Sequence, residues 1–291
     1  MTPMVGHALV GPGELWGAWS PDPTVLAGLG AAGLLYARGY RTIRRRSPHP
    51  TADLRAGAFL AGWLVIVVAL VSPLDAMADA LFSAHMVQHL LLIVVAAPLF
   101  VLGRPVITTL AGLSPERRRR VARAAHALAA TGVVRTVRRP VVAWSVFTIA
   151  LWSWHLPVLY QAAVEDPLLH ALEHTAFLST AMLAWSVALD ERPREGMGVL
   201  GRALFLSASA VQSGLLGALI LFASTLLYPV HGPGPALWGL TPLQDQQLAG
   251  ALMWIPPAAV YLTATGAILL RTFRAMDASR PARRAGGSVA A

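Results

Sequence analysis

Four of the nine histidines form two pairs whose spacing suits metal binding. His85 and His89 are four residues apart in one apolar stretch, and His170 and His174 are four residues apart in another. On an α-helix, residues i and i+4 lie on one face about 5 to 6 Å apart, so the two imidazoles of a pair can share one metal ion or bind adjacent ions. Each pair therefore predicts half of a metal site.

Several further side chains near these pairs, or at the ends of other apolar stretches, are candidates for the same site. We expect His155, Met86 and Met253 to be auxiliary ligands. Glu173, three residues after His170, is expected to orient an imidazole, although a direct ligand role is open. The other residues expected to support the ligands are Asp75, Asp245 and Gln246. The remaining histidines are predicted to lie on the surface or in loops: His7, His49, His126 and His231.

The composition indicates a membrane protein. Of the 291 residues, 56% are hydrophobic and only 13% are charged, and the mean hydropathy is +0.58, which excludes a soluble globular domain. All 23 basic residues are arginine, against 14 acidic residues, which gives a net charge of +9. These arginines lie between long apolar stretches rather than on one face of a soluble domain, so membrane topology explains the charge better than nucleic-acid binding does.

Seven apolar stretches are long enough to be transmembrane helices, since a hydrocarbon core of about 30 Å needs about 20 helical residues. The sequence therefore predicts an all-α, polytopic bundle of seven transmembrane helices. The predicted spans are Thr24 to Tyr40, Leu54 to Val71, Ser83 to Leu102, Val141 to His155, Leu168 to Leu189, Leu200 to Tyr228 and Gln246 to Phe273.

The arginines predict the orientation of these spans. They occur only around the junctions between the first and second, third and fourth, and fifth and sixth spans, and from Arg271 onward, so the positive-inside rule places the N-terminus outside and the C-terminus in the cytoplasm. Residues 1–23 then form an external segment, 24–273 the transmembrane domain with a basic cytoplasmic loop at about 103–140, and 274–291 a flexible cytoplasmic tail. In that loop, Ser114 and Pro115 predict the start of a helix, which either lies on anionic headgroups or is simply solvated.

This topology places both histidine pairs at the same depth. The third and fifth spans both begin outside, so each pair falls in the first two turns of its span, near the extracytoplasmic face. For any one histidine alone, a buried imidazole hydrogen-bonded to another helix is the simpler interpretation. Two pairs at one depth favour a metal or cofactor site, because ionisable residues inside a membrane are costly.

A glycine motif in the first span requires a different interpretation. Residues Gly28 to Gly33 match the dinucleotide-binding pattern, but that pattern works only where a strand turns into a helix. Inside a predicted span, we interpret these small residues as a surface for close helix packing, and Gly214 and Gly217 in the sixth span as a similar one.

The absence of cysteine restricts the chemistry of the site. Thiolate ligands are excluded, and imidazoles with a thioether nearby suit copper in either oxidation state, while zinc, iron or haem also accept imidazole. We therefore expect one or two copper ions as the bound metal.

Three blocks of the sequence resemble a known family, the multi-span CtaG-type cytochrome c oxidase assembly proteins of bacteria with caa-type haem-copper oxidases. The blocks are SAHMVQHLLLIVVAAPLFVLGRP (83–105), WHLPVLYQAAVEDPLLHALEHTAF (154–177) and PLQDQQLAGALMWIP (242–256). The likeness extends over about residues 24–273. The positions of this chain that match the family's motifs are His85, Met86, His89, His155, His170, His174, Asp245 and Met253.

The resemblance implies a multi-pass protein of the bacterial plasma membrane that acts in oxidase maturation as a metallochaperone rather than an enzyme. Its cargo would be copper for the CuB centre. Its partners would be the oxidase subunit that carries CuB and an extracytoplasmic copper donor. It would contact membrane lipid and no nucleic acid. Two alternatives remain: a membrane redox protein that holds haem b between one histidine of each pair, and a copper or proton transporter. The apolar inner halves of the third, fifth and seventh spans argue against the transporter.

Overall fold

The computed structural model describes residues 9–46, 49–190 and 197–279, and this part of the chain is α-helical without a β-strand, which confirms the predicted class. A π-helical segment, Leu91–Ala96, joins α4 to α5. The helices are α1 (Pro23–Arg46), α2 (Pro50–Leu70), α3 (Pro73–Ala80), α4 (Phe82–Leu90), α5 (Ala97–Gly103), α6 (Pro105–Ala111), α7 (Pro115–Ala130), α8 (Val133–Val137), α9 (Pro140–Trp154), α10 (Pro157–Glu165), α11 (Pro167–Ala188), α12 (Val199–Leu221), α13 (Gly234–Leu237) and α14 (Pro242–Ser279).

Many of these helices begin at a proline, often preceded by a capping side chain. Proline suits the first helical position because its φ is already helical and its missing N–H would have no partner there. Before α11, Asp166 accepts hydrogen bonds from the backbone N–H groups of Leu168 and Leu169 at 2.8 and 3.0 Å. Ser114 likewise caps α7, which confirms the predicted start of a basic helix. The second histidine pair thus lies on a helix with a well-defined start.

Within the described residues, four helical stretches are long and apolar enough to cross a membrane. They are Pro50–Leu70, Phe82–Ala111, Val199–Leu221 and Pro242–Asp277. A fifth is possible if α9 and α10, which meet at a bend of 73°, form one broken span. The membrane character predicted from composition is therefore supported by length and apolarity of individual helices.

Some predicted boundaries differ from the observed ones. The sixth span was predicted to continue to Tyr228, but α12 ends at Leu221. Residues 222–241 instead form a segment with a short 3₁₀-helix and α13. The backbone N–H groups of Leu227 and Tyr228 donate to the Gln246 side chain rather than continuing the helix. No local pattern indicates α10, which starts at Pro157 after the chain turns sharply beyond α9. At the C-terminal end, α14 continues to Ser279, past the predicted start of the tail, and residues 280–291 lie outside the described part.

Glycines allow α12 and α14 to pack at very short range. A Cβ atom on Gly217 would lie 2.8 Å from the carbonyl oxygen of Gly250, closer than real Cβ contacts, so only glycine fits there. The predicted packing role of Gly217 is thus confirmed. The same prediction is wrong for Gly28 and Gly30, where an added Cβ would meet nothing within 4 Å in the described chain.

A tryptophan connects the two helices that carry the histidine pairs. The indole Nε1 of Trp185 on α11 donates a hydrogen bond to the carbonyl oxygen of Ile93, at 3.0 Å, inside the π-helical segment that follows α4. π-Helical turns are rare and often occur beside functional sites. This bond fixes α11 relative to the helix that carries His85 and His89.

Candidate metal centre

The structure brings the two histidine pairs together. The ring centroids of His85 and His170 are 5.1 Å apart, and those of His89 and His174 are 5.4 Å apart. Within each pair, the centroids are 4.5 Å apart on α4 and 4.3 Å apart on α11. The predicted half-sites therefore face each other across one buried space.

Four residues can offer ligand atoms to a single ion. One ligand atom from each lies within 4.8 Å of the others in the set His85, His89, Glu173 and His174. The carboxylate of Glu173 is 3.7 Å from the Nε2 atoms of both His85 and His89, through a different oxygen in each case. These separations are too long for hydrogen bonds. Two metal–ligand bonds of about 2.0 to 2.2 Å, however, separate the ligand atoms on opposite sides of an ion by about 4 Å. The geometry fits an ion between the ligands.

Most of these ligand atoms have no other partner. In the described part of the chain, twelve buried side-chain nitrogen or oxygen atoms have no hydrogen-bond partner, and eight of them belong to six residues at this site. A buried polar atom without a partner costs about 1 to 3 kcal/mol, so such a concentration needs compensation by a bound group. The eight atoms are Nε2 of His85, His155, His170 and His174, both ring nitrogens of His89 and both carboxylate oxygens of Glu173.

Glu173 takes a more central place than the sequence suggested. We expected it to orient an imidazole, but its side chain is fully buried and its two oxygens face His85 and His89. A carboxylate in apolar surroundings is unfavourable unless a positive charge lies beside it. Together with the unpartnered imidazoles, Glu173 makes this space suitable for a cation.

His170 lies at the edge of the four-residue group. Its ring stacks on His85 at an interplanar angle of 26°, and its side chain is only half-buried. Its Nε2 atom is nevertheless buried and without a partner. His170 is therefore the imidazole of the site that is nearest to the protein surface.

His155 and Met253 lie on the other side of His89. The His155 ring is 5.6 Å from that of His89, and its Nδ1 lies 2.7 Å from the carbonyl oxygen of Leu151. Together with other residues, His89, His155 and Met253 line a cavity of about 20 Å³. Met86 is fully buried in the main apolar core.

Asp245 supports the site through the backbone of α4. Its carboxylate accepts hydrogen bonds from the backbone N–H groups of Phe82 and Ser83, at 2.7 and 3.1 Å, and from the Ser83 hydroxyl. These donors are at the first turn of α4, which has no other side-chain cap. The predicted supporting role of Asp245 therefore takes the form of a helix cap supplied by α14.

Asp75 and Gln246 also act on the surroundings of the ligands. Asp75 accepts a hydrogen bond at 2.8 Å from Gln88, the neighbour of His89, and Gln88 also donates to the Ala69 carbonyl. The Gln246 side chain accepts from the backbone of Leu227 at 2.6 Å, which holds the segment that follows α12. Asp75 thus orients the Gln88 side chain, and Gln246 positions a main-chain segment.

His231 is buried, contrary to the prediction of a surface or loop residue. It does lie in the segment between α12 and α14, but only 4% of it is exposed. Its Nε2 is 2.8 Å from the Tyr160 hydroxyl and its Nδ1 is 3.1 Å from the Asp79 carbonyl oxygen. Burial lowers the pKa of His231, so the neutral ring can donate to Asp79 and accept from Tyr160.

Two tyrosines near the site had no recognisable sequence signal. Tyr160 on α10 is fully buried with its ring 5.1 Å from that of His85, and the Tyr228 hydroxyl donates to the His155 carbonyl oxygen at 2.6 Å. Burial raises the pKa of Tyr228 to about 12. The predictions for His49 and His126 are confirmed, since both are exposed, and His7 lies outside the described residues.

Comparison with known proteins gives a family and two distant relatives. The model of a family described as cytochrome c oxidase caa3 assembly factor matches residues 34–275. Uncharacterized proteins of Mycobacterium bovis and Mycobacterium tuberculosis are each 27% identical to this chain over 241 residues. That alignment covers 78% of this chain and 35% of each relative, so the chain spans about a third of their length. No solved structure matches.

Proposed function

The chain belongs to the caa3 cytochrome c oxidase assembly factor family, and we propose that its part in assembly is to bind copper and supply it to the CuB centre of the oxidase. The observation that carries this proposal is the concentration of eight buried, unpartnered side-chain nitrogen and oxygen atoms around the two histidine pairs. In this role copper is cargo: it is bound, held and passed on. The protein needs no catalytic activity of its own for this role.

The ligand set favours monovalent copper as the cargo. His85, His89 and His174 are neutral ligands, and Glu173 supplies one negative charge. A Cu(I) ion with this set leaves the site neutral, whereas a divalent ion leaves one positive charge in apolar surroundings. Imidazole also binds copper well, and the chain has no cysteine to compete for it.

A delivery protein has to release its ion, and His170 gives the site a means of exchange. Its half-buried ring stacks on His85 and lies outside the four-residue group. We propose that His170 receives copper from an extracytoplasmic donor and passes it to the inner ligands. Met86 remains a candidate ligand on the basis of the sequence alone.

We further propose the seven-span topology with the N-terminus outside, the C-terminus in the cytoplasm and the metal site near the outer face of the bacterial plasma membrane. The segregation of all arginines to alternate connecting segments supports this orientation. In this arrangement the site faces the compartment from which the copper donor and the oxidase subunit carrying CuB would approach.

Titration of the purified protein with Cu(I) under anaerobic conditions, against a chromophoric competitor, tests the proposal. The double variant His85→Ala/His89→Ala should lose copper binding, while the matched control His49→Ala/His126→Ala, which changes two exposed histidines, should bind like the parent. Thermal unfolding of each variant checks that it is folded. Equal binding by the parent and His85→Ala/His89→Ala would refute the proposal.

The haem alternative is less well supported by the packing at the site. Haem would have to lie between one histidine of each pair, where the rings are already 5.1 to 6.0 Å apart and Glu173 lies beside them. A haem-binding protein would show a Soret absorption band after purification, and its absence would leave copper as the better candidate.

A further inference from the structure

Both ring nitrogens of His89 are buried and without a hydrogen-bond partner. A neutral imidazole has one N–H donor and one lone pair, so either tautomer leaves a donor and an acceptor unsatisfied. The Nε2 atom faces Glu173 at 3.7 Å. Because the two nitrogens of an imidazole point in widely different directions, Nδ1 cannot bind the same ion as Nε2. The four-residue group thus accounts for only one of the two ring nitrogens of His89.

His155 offers a second lone pair near His89. Its Nδ1 is hydrogen-bonded to the Leu151 carbonyl oxygen at 2.7 Å, which requires the ring proton on Nδ1. The Nε2 atom therefore carries the lone pair, and it is buried without a partner. The His155 and His89 ring centroids are 5.6 Å apart, with the planes at 79°. His155 is nevertheless not a member of the four-residue group.

A small cavity lies between these two histidines and Met253. Its volume of about 20 Å³ is enough for one ion or one water molecule, since about 10 to 15 Å³ is needed to hold a water. Ile93 and Val94 also line it, so it extends more than two helical turns further along the chain than His85. Of the described residues that line it, none has a carboxylate, and most are apolar.

We propose that this cavity is a second copper position, formed by His89 Nδ1, His155 Nε2 and the thioether of Met253, and selective for Cu(I). Two imidazoles and a thioether form a soft ligand set. All three are uncharged, so a monovalent ion is less costly to bury there than a divalent one. The first position, with the carboxylate of Glu173, also accepts divalent ions.

The two positions share His89 and are filled in turn. When the ion binds Nε2, the ring proton is on Nδ1. When the ion moves to Nδ1, that proton is released and Nε2 takes one up, so the ring gains and loses no proton overall, and the new N–H can donate to Glu173. The ion changes ligands without a change of oxidation state, so no electron donor or acceptor is needed. This inference rests on the proposed function and adds a direction to it, from the half-buried His170 through the four-residue group to the deeper cavity.

X-ray absorption of the full-length protein in detergent tests this second position. With one equivalent of Cu(I), the parent protein should show a sulfur scatterer bound to copper, and Met253→Leu should show nitrogen and oxygen alone. Met182→Leu, which changes another methionine of the core, is the matched control and should keep the sulfur signal. With Zn(II) as the probe, the parent should show no sulfur. A sulfur signal that persists in Met253→Leu would overturn the proposal.

Two paired variants separate the positions. His85→Ala/His174→Ala should still bind Cu(I) through a sulfur ligand but bind Zn(II) at least about tenfold more weakly. Loss of a residue that only supports a ligand already lowers metal affinity by about 10- to 100-fold. His155→Ala/Met253→Leu should keep its Zn(II) affinity and bind Cu(I) at least about tenfold more weakly. Copper bound without sulfur by the parent, and lost in His85→Ala/His89→Ala, would overturn the second position and leave the proposed function intact. No binding of copper by the parent would overturn both.

Discussion

Asp245 and Ser83 are joined by two hydrogen bonds, although 162 residues separate them in the chain. The Asp245 carboxylate accepts from the backbone N–H and from the hydroxyl of Ser83, at the first turn of the helix that carries His85 and His89. A carboxylate at this place satisfies backbone donors and interacts favourably with the positive end of the helix dipole. The position of the first histidine pair therefore depends on α14.

Loss of this cap should weaken both the fold and the site. Asp245→Ala is expected to destabilise the protein by about 1 to 2 kcal/mol, the usual cost of removing a capping side chain, and to lower copper affinity. Asp22→Ala is the matched control: Asp22 accepts from the backbone of Thr24 and Val25 at the start of α1, far along the chain from the histidines. Thermal unfolding and Cu(I) titration of both variants check this. Equal copper affinity in the two variants would contradict a role for Asp245 at the site.

Replacement of Glu173 by glutamine should affect the metal-free and metal-bound protein in opposite directions. In the metal-free protein, Glu173→Gln removes a buried carboxylate without a hydrogen-bond partner and should raise the unfolding temperature. With Zn(II), the variant lacks the compensating charge and should bind more weakly than the parent. Glu165→Gln, at an exposed carboxylate on α10, should change neither quantity. A lower unfolding temperature for metal-free Glu173→Gln would contradict this account of the buried charge.

The packing of α12 on α14 gives a prediction about glycine. Gly217→Ala would place a Cβ 2.8 Å from a backbone oxygen of α14 and should destabilise the protein by about 1 to 3 kcal/mol. Gly30→Ala, in the open face of α1, should instead stabilise it by about 0.4 to 1 kcal/mol, because alanine restricts the unfolded chain. Thermal unfolding in detergent compares the two. The same sign of change in both variants would contradict the packing described here.

The absence of cysteine makes the proposed topology directly measurable. Single cysteines can be placed at Gly13, before α1, and at Ala125, in the exposed basic helix α7. With a membrane-impermeant maleimide on intact cells, Gly13→Cys should be labelled and Ala125→Cys should be labelled only after the membrane is opened. The parent protein, which has no thiol, provides the background. Labelling of Ala125→Cys in intact cells would reverse the proposed orientation.

Local sequence patterns predicted the parts of the fold and site that depend on neighbouring residues. The i, i+4 spacing of His85 with His89 and of His170 with His174 is a property of single helices, and the structure brings both pairs together as expected. The start of α7 was likewise predicted from its own capping residues, Ser114 and Pro115.

Features that depend on distant contacts gave no such signal. His231 is buried by contacts with distant residues such as Tyr160 of α10. Glu173 faces His85 and His89 because of how α4 and α11 are placed. The chain after Leu221 is apolar enough to resemble a continuing span, but α12 ends there, and the backbone of Leu227 and Tyr228 bonds to the distant Gln246 side chain instead. Gly28 and Gly30 match a packing pattern, yet they face open space.

Metal analysis of the native protein tests the central claim most directly. The protein would be purified without added metal or chelator from bacterial membranes of cells grown with copper, and its copper, zinc and iron content measured beside that of His85→Ala/His89→Ala and His49→Ala/His126→Ala. We predict near-stoichiometric copper in the parent and in the exposed-histidine control, and a loss of copper in His85→Ala/His89→Ala. A parent protein that carries no copper, or a double variant that retains as much copper as the parent, would contradict a copper-binding role for the paired histidines.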